Sequence, residues 1–312
     1  MGGGPDKSSL SFASTYVLSA IASCIAETVT YPFDITKTRL QVAGERGSGS
    51  AAQVGVRRGL VGTMAGIVRE EGLRQLYRGL PPACLRHCVY SGIRVSAYEV
   101  LREFVFKKNV DGSFSLWKGA LAGMSAGAIG QFVATPTDLV KVQMQIEGRR
   151  IARGEPPRYR GTLDAFTTLA RQGGVRALYM GWGPAVQRAM LVQLGDLTAY
   201  DQAKQFWQRD MGLADGPVLH ACSSAVAGLV AATMGAPADV IKTRVMNQPL
   251  DEYGRGTIYK STLDCARQTV KNEGLTALYK GWLPTWMRMA PWSLAFFLSF
   301  EQLRRLSGLD SF

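Results

Sequence analysis

Three segments about a hundred residues apart carry the same charged pattern, and this recurrence restricts the fold more than any other feature of the 312-residue chain. Pro32-Phe-Asp34-Ile-Thr-Lys37-Thr-Arg39 returns as Pro136-Thr-Asp138-Leu-Val-Lys141-Val-Gln143 and again as Pro237-Ala-Asp239-Val-Ile-Lys242-Thr-Arg244. A second element, Glu71 through Tyr77-Arg78-Gly79, returns as Gly173 through Tyr179-Met180-Gly181 and as Glu273 through Tyr279-Lys280-Gly281. A third, Tyr98-Glu99-x-x-Arg102, returns as Tyr200-Asp201-x-x-Lys204 and Phe300-Glu301-x-x-Arg304. Each unit reads as helix, polar loop with a short amphipathic helix, then helix. The units are expected at residues 11–108, 115–210 and 216–308, which makes the fold class all-α with six long helices and places both termini on one side.

Hydropathy puts those helices in a membrane. The runs 8–26, 119–137 and 216–238 contain no Asp, Glu, Lys or Arg, and each is close to the ~20 residues a helix needs to cross hydrocarbon. The stretches 80–106, 182–207 and 282–306 have the right length but carry interior charges. Half of the 36 Lys and Arg lie in the loops 45–78, 147–181 and 247–281. The positive-inside bias sets those loops on one face and the termini on the other. A net charge of +12 suits nucleic acid, an anionic membrane or an acidic solute, but a nucleic-acid-binding protein does not account for the uncharged runs. Five cysteines at no common metal spacing argue against a disulfide framework. The first ten residues hold one lysine and no apolar core, so neither a secretory signal nor an Arg-rich transit segment is expected there and targeting is internal.

Charge buried at membrane depth is costly unless paired. Asp34, Asp138 and Asp239 with Lys37, Lys141 and Lys242 form two symmetric sets of three, and a ring of pairs between neighbouring helices is the least costly arrangement that the symmetry offers. Pro32, Pro136 and Pro237 each remove a helix hydrogen bond and are expected to kink the three helices that carry them. Glu99 with Arg102, Asp201 with Lys204 and Glu301 with Arg304 read either as intrahelical pairs or as a second ring at the opposite end. Two openable rings about a central site are what alternating access requires. Arg86, Arg188 and Arg288 each lie seven residues after a repeat glycine. Converging on one axis they make an anion site; snorkelling or structural pairing is the other reading. Arg94 and Asp196 stand eight residues further on, where the third repeat has Phe296, and either pair with each other or share the ligand. Glu27 is read as an unpaired carboxylate in an apolar helix, either proton-sensitive or a partner of Arg86. Cys84, His87 and Cys88 lack a fourth ligand, so no metal is expected. With only two histidines, a multi-histidine relay is not expected, and no nucleophile–base constellation supports an enzyme. Pairs of small residues four apart, such as Gly123 and Gly127, allow close helix approach.

Three copies of Pro-x-Asp-x-x-Lys, each followed by an aromatic-basic-Gly element, resemble the mitochondrial carrier family over nearly the whole chain, and the run Gly195-Asp196-Leu-Thr-Ala-Tyr200-Asp201 is similar to its uncoupling-protein branch. The resemblance implies a pseudo-threefold six-helix bundle in the inner mitochondrial membrane, long loops in the matrix and termini toward the intermembrane space. It implies a matrix gate of Asp34 with Lys141, Asp138 with Lys242 and Asp239 with Lys37, and a cytoplasmic gate of Glu99, Arg102, Asp201, Lys204, Glu301 and Arg304. It also implies braces at Gln41 and Gln145, where the third repeat has Met246. It makes Glu27 match an acidic position used in proton transfer. Around Arg78, Gly79, Gly181, Lys280 and Gly281 it implies cardiolipin binding. No resident cofactor is implied. Fatty acids and purine nucleotides are the expected regulators, a small anion or fatty acid the solute, and the monomer the functional unit.

Overall fold

The computed structural model describes residues 12–43, 59–105, 116–152, 155–212, 216–251 and 256–307. The start of the first uncharged run, residues 45–58 of the first long loop and most of the connection 107–118 lie outside the described residues. Along the chain run α1 (Phe12–Val42), α2 (Leu60–Glu71), α3 (Leu80–Val100, continued by a wider turn over Leu101–Val105), α4 (Leu116–Ala152), α5 (Thr162–Leu178), α6 (Trp182–Arg209), α7 (Pro217–Asn247), α8 (Thr262–Glu273) and α9 (Trp282–Leu306). The described residues contain no strand. The six long helices pack in a closed ring, each against the next in chain order, with α9 returning to α1. The short helices α2, α5 and α8 fill the three long loops.

The long helices outrun the uncharged segments that suggested them. α1 has 31 residues, about 46 Å at ~1.5 Å per residue, and continues through Pro32 into the charged motif; α4 and α7 do the same through Pro136 and Pro237. Among the described residues only Leu219–Asn247 is both long and apolar enough, by those two criteria alone, to cross a membrane. In α1 and α4 the polar residues that lower the average face inward: Glu27, Asp34, Lys37 and Gln41, and Gln131, Asp138, Lys141 and Gln145, are all buried. The opposite stripe of α1 is apolar and open, with Val17, Ile21, Ile25 and Val29 at 52%, 43%, 40% and 58% exposure. Charge within and aliphatic side chains without reverse the water-soluble pattern and suit a bundle whose outside meets hydrocarbon.

Local chemistry sets the loop helices. Ser261 accepts from the Asp264 amide at 3.1 Å and Asp264 accepts from the Lys260 amide at 3.0 Å, a reciprocal cap that starts α8. Bonds from that amide and from the Gln268 side chain hold the Asp264 carboxyl below its usual value. α5 breaks at Gly173 and Gly174 (φ 65°), the position where α2 and α8 end at Gly72 and Gly274.

Candidate functional site: a ring of shared carboxylates

The ring begins with the spacing of the motif. Asp and Lys three residues apart lie on one face of a helix, and the ring of helices turns those faces to the axis. Lys141 Nζ reaches Asp34 at 2.6 Å, Lys242 reaches Asp138 at 2.6 Å and Lys37 reaches Asp239 at 2.5 Å, all buried. These are the three pairings that the family resemblance implies.

The arginines meet the same carboxylates. Arg288 Nη1 lies 3.3 Å from Asp34, Arg86 Nε 3.4 Å from Asp138 and Arg188 Nε 2.6 Å from Asp239. Each aspartate is therefore held from both sides, by a lysine of one neighbouring repeat and an arginine of the other. Removing one partner of such a buried pair costs about 3–5 kcal/mol, because the remaining charge is stranded. The guanidiniums converge on one axis while keeping 16%, 26% and 21% side-chain exposure for Arg86, Arg188 and Arg288.

Glu27 corrects the expectation of an unpaired group. Its fully buried carboxylate takes Lys141 at 3.0 Å, Arg288 at 3.1 Å and His87 Nε2 at 3.1 Å, and no ion pair joins it to Arg86 among the described residues. The physical reason is depth: five residues before Pro32, Glu27 lies beside the first corner of the ring rather than in the apolar part of α1. His87 is thus engaged with a carboxylate, and among the described residues no group of His, Cys, Asp and Glu is arranged to hold a metal.

A second tier lies below. Gln145 donates to Asp34 at 2.9 Å and Gln41 to Asp239 at 2.8 Å, each fixed by a threonine hydroxyl, Thr38 and Thr243, that donates to its side-chain oxygen at 2.7 and 2.8 Å. Met246 has no such group, and Gln131, seven residues earlier on the same helix as Asp138, donates to that carboxylate at 2.6 Å instead. Arg39, Gln143 and Arg244 donate to the backbone carbonyls of Gln145, Met246 and Gln41 at 2.8, 2.6 and 3.1 Å. Arg39 also clamps Glu71 at 2.9 and 2.8 Å, and Arg244 clamps Glu273 at 2.5 and 2.9 Å. The second repeat has neither charge, with Gln143 and Gly173 in those places. Burial pushes the Glu273 carboxyl up, but hydrogen bonds from Arg244 and Lys280 outweigh it and hold the group below the usual glutamate value.

The aromatic-basic-Gly elements turn the chain into the second helix of each repeat. Gly181 has φ 81°, and an added Cβ would stand 2.8 Å from Met246 Cγ; a Cβ at Gly79 would stand 2.7 Å from the Tyr31 hydroxyl and 3.3 Å from Gln145 Cγ, and one at Gly281 3.0 Å from Gln41 Cγ. These glycines seat the second tier. Lys280 bonds the Ala43 carbonyl at 2.8 Å and pairs with Glu273, and Arg78 lies 3.5 Å from Gln75. A cavity of about 320 Å³ opens beside this element between Leu40, Leu60 and Trp282.

The far end is different. Among the described residues no ion pair links Glu99, Asp201 or Glu301 to a neighbouring helix, and Glu301 pairs with Arg305 on its own helix at 2.5 Å. The intrahelical reading of that set holds at Glu301, with Arg305 in place of the expected Arg304. Arg94 and Asp196 are exposed and no ion pair joins them among the described residues; the Arg94 guanidinium stands 5.7 Å from the Tyr90 ring, which Arg86 approaches at 6.0 Å from the other side of that residue.

Sequence reasoning named the braces Gln41 and Gln145 but missed Gln131, the contact of His87 with Glu27 and the bonds that Arg39, Gln143 and Arg244 make in the second tier. One signal pointed to the tier: Arg39 and Arg244 accompany Glu71 and Glu273, whereas Gln143 accompanies Gly173, so charge is kept or lost at both positions together.

A model of the family described as mitochondrial carrier protein matches three times, over residues 8–109, 112–211 and 214–310. Mitochondrial uncoupling protein 3 of Arabidopsis thaliana is 42% identical over 298 residues, 95% of each chain. Mitochondrial uncoupling protein 1 of the same plant is 41% identical over 96% of this chain and 95% of its own. Mitochondrial uncoupling protein 4C of Drosophila melanogaster is 38% identical over 95% of this chain and 88% of its own. Three family matches laid end to end over a threefold ring of charge leave one assignment: the chain belongs to the mitochondrial carrier family.

Proposed function

We propose that the protein carries a small anion or a fatty-acid anion across the inner mitochondrial membrane by alternating access, with fatty-acid-dependent proton leak as its net effect. One observation carries this reading. At the ring, three lysines and three arginines face four carboxylates, Asp34, Asp138, Asp239 and Glu27, which leaves two positive charges in excess. Guanidinium forks bind carboxylate or phosphate with two bonds each. An anion reaching Arg86, Arg188 or Arg288 competes with the aspartate that each now holds, so binding loosens the ring and favours opening toward the long loops. Entry is from the end where, among the described residues, Glu99, Asp201 and Glu301 make no ion pair to a neighbouring helix. Asp196 and Arg94 line that route, and Glu27 is the proton-sensitive carboxyl.

The long loops then face the matrix and the termini the intermembrane space, in keeping with their charge. Cardiolipin phosphates suit the helix N-termini at Gly79, Gly181 and Gly281, with the cavity by Trp282 beside the third. Purine nucleotides inhibit through the arginine triplet. The chain works as a monomer, with no resident cofactor, no nucleic-acid partner and no enzymatic step.

The excess of two charges also favours a second reading, exchange of dicarboxylates or phosphate without physiological leak. Purified protein in liposomes separates the two: oleate-dependent proton flux is expected, compared with exchange of labelled malate, aspartate and phosphate. Saturable exchange without leak would replace the first reading by the second, and neither flux from folded protein would sink both. Arg188→Gln is expected to lower either flux on the order of a hundredfold while the protein still folds in lipid.

A further inference from the structure

We infer that His87 is the proton-reading residue of the anion site: its Nε2 either accepts from Arg86 or donates to Glu27, so that a proton gained on the ring releases Arg86 for the anion. The inference rests on the anion-carrier reading.

His87 Nε2 lies 3.1 Å from Glu27 Oε2 and 3.3 Å from Arg86 Nη2. A guanidinium only donates and an ionised carboxylate only accepts, while a neutral imidazole offers one N–H and one lone pair. A lone pair on Nε2 satisfies Arg86 but faces the Glu27 oxygen. A hydrogen on Nε2 satisfies Glu27 but faces the Arg86 N–H. One nitrogen cannot serve both neighbours, so a single proton decides which contact is made.

The surroundings favour a switch over a fixed bond. The charged groups that act on the imidazole are Glu27 of α1, Arg86 of α3 and Lys141 of α4, and Arg288 of α9 reaches it through Glu27. Lys141 and Arg288 already neutralise Glu27, so Glu27 keeps its partners when His87 turns to Arg86. Trp292 stacks on the imidazole at 5.8 Å and 22°, which sets the ring plane and accepts a cation over its face. Arg86 is the arginine held most loosely, 3.4 Å from its aspartate against 2.6 and 3.3 Å for the others. An imidazolium beside it repels it from Asp138 into the site.

The device occurs once. The repeat equivalents of His87 are Ala189 and Met289, and those of Glu27 are Gln131 and Ala232. One ring therefore reads one proton per transport cycle, and linkage requires that bound anion raise the proton affinity of His87 by the factor by which the proton raises anion affinity.

The chain has two histidines, His87 and His220, so a His220→Asn protein in lipid leaves one imidazole for nitrogen-15 NMR. Sulfate serves as the probe anion because its charge does not change between about pH 6 and pH 8. Sulfate affinity is expected to rise on the order of tenfold from the higher to the lower pH, with less than a twofold change in His87→Gln. Saturating sulfate should raise the His87 proton affinity by that same factor. Equal pH dependence in His87→Gln, or a His87 titration indifferent to sulfate, would overturn the inference. A measurement without any anion decides the histidine separately: Glu27→Gln should change the proton affinity of His87 tenfold or more, and no change would overturn the switch. Arg86→Lys, which moves the donor away from Nε2, provides the same readout should Glu27→Gln fail to fold. Absence of sulfate binding at every pH would count against the anion-carrier reading itself.

Discussion

Asp138 is braced by a glutamine of its own helix, whereas Asp34 and Asp239 are braced from a helix of another repeat. Gln131 occupies the place that Glu27 holds in the first repeat, so a position that carries charge in one unit repairs a missing hydrogen bond in another. Gln131→Ala should leave that carboxylate short of one donor and lower the thermal stability of the folded protein by about 1 kcal/mol. Adding Met246→Gln should restore it, since Gln41 and Gln145 reach their aspartates from the equivalent place. A melting temperature unmoved by Gln131→Ala, or unrestored by the second change, would count against this account. At this scale a ring of lysine–aspartate pairs was legible because symmetry and charge admit few arrangements, and the family resemblance implied which lysine meets which aspartate. The arginine–aspartate contacts were not, because a count of residues along a helix sets a depth and not the direction in which a long side chain reaches. Glu27 was misread for the same reason, its ionic partners Lys141 and Arg288 coming from two other repeats.

The three loop helices are not equally fastened. Bidentate clamps tie α2 and α8 to the ends of α1 and α7, and α5 has no counterpart because Gln143 and Gly173 are neutral. Gln143→Arg together with Gly173→Glu should install the third clamp, and Gly173 has φ −147°, a conformation open to glutamate. The pair should raise the melting temperature by a few degrees, about 1 kcal/mol for a chain of this size, while either change alone should not; a double-mutant cycle in lipid checks this. The helices themselves were largely visible in the sequence, since uncharged runs and repeat spacing mark their middles. Their ends were not. A helix whose charged turns are satisfied by neighbours continues past the point where hydropathy stops, as α1 does from Pro32 to Val42.

Taken whole, the molecule turns its charged motif inward, among buried apolar side chains, and sets aliphatic side chains on its outside. Val29, 58% exposed on the outer stripe of α1, offers a direct check: Val29→Lys should cost about 2.5–3.5 kcal/mol if that stripe meets hydrocarbon, and no more than about 0.5 kcal/mol if it meets water. Folded yield and melting temperature in liposomes read the difference. Averaging along a helix cancels an apolar face against a charged one, so among the described residues only Leu219–Asn247 meets both length and composition for a crossing. The charged face has a further consequence. Since every aspartate of the triangle is shared between the other two repeats, withdrawing any one corner strands charges belonging to both neighbours. No unit can swing by itself at low energy; if the triangle closes the route of the proposed carrier, it is expected to unlatch as one event.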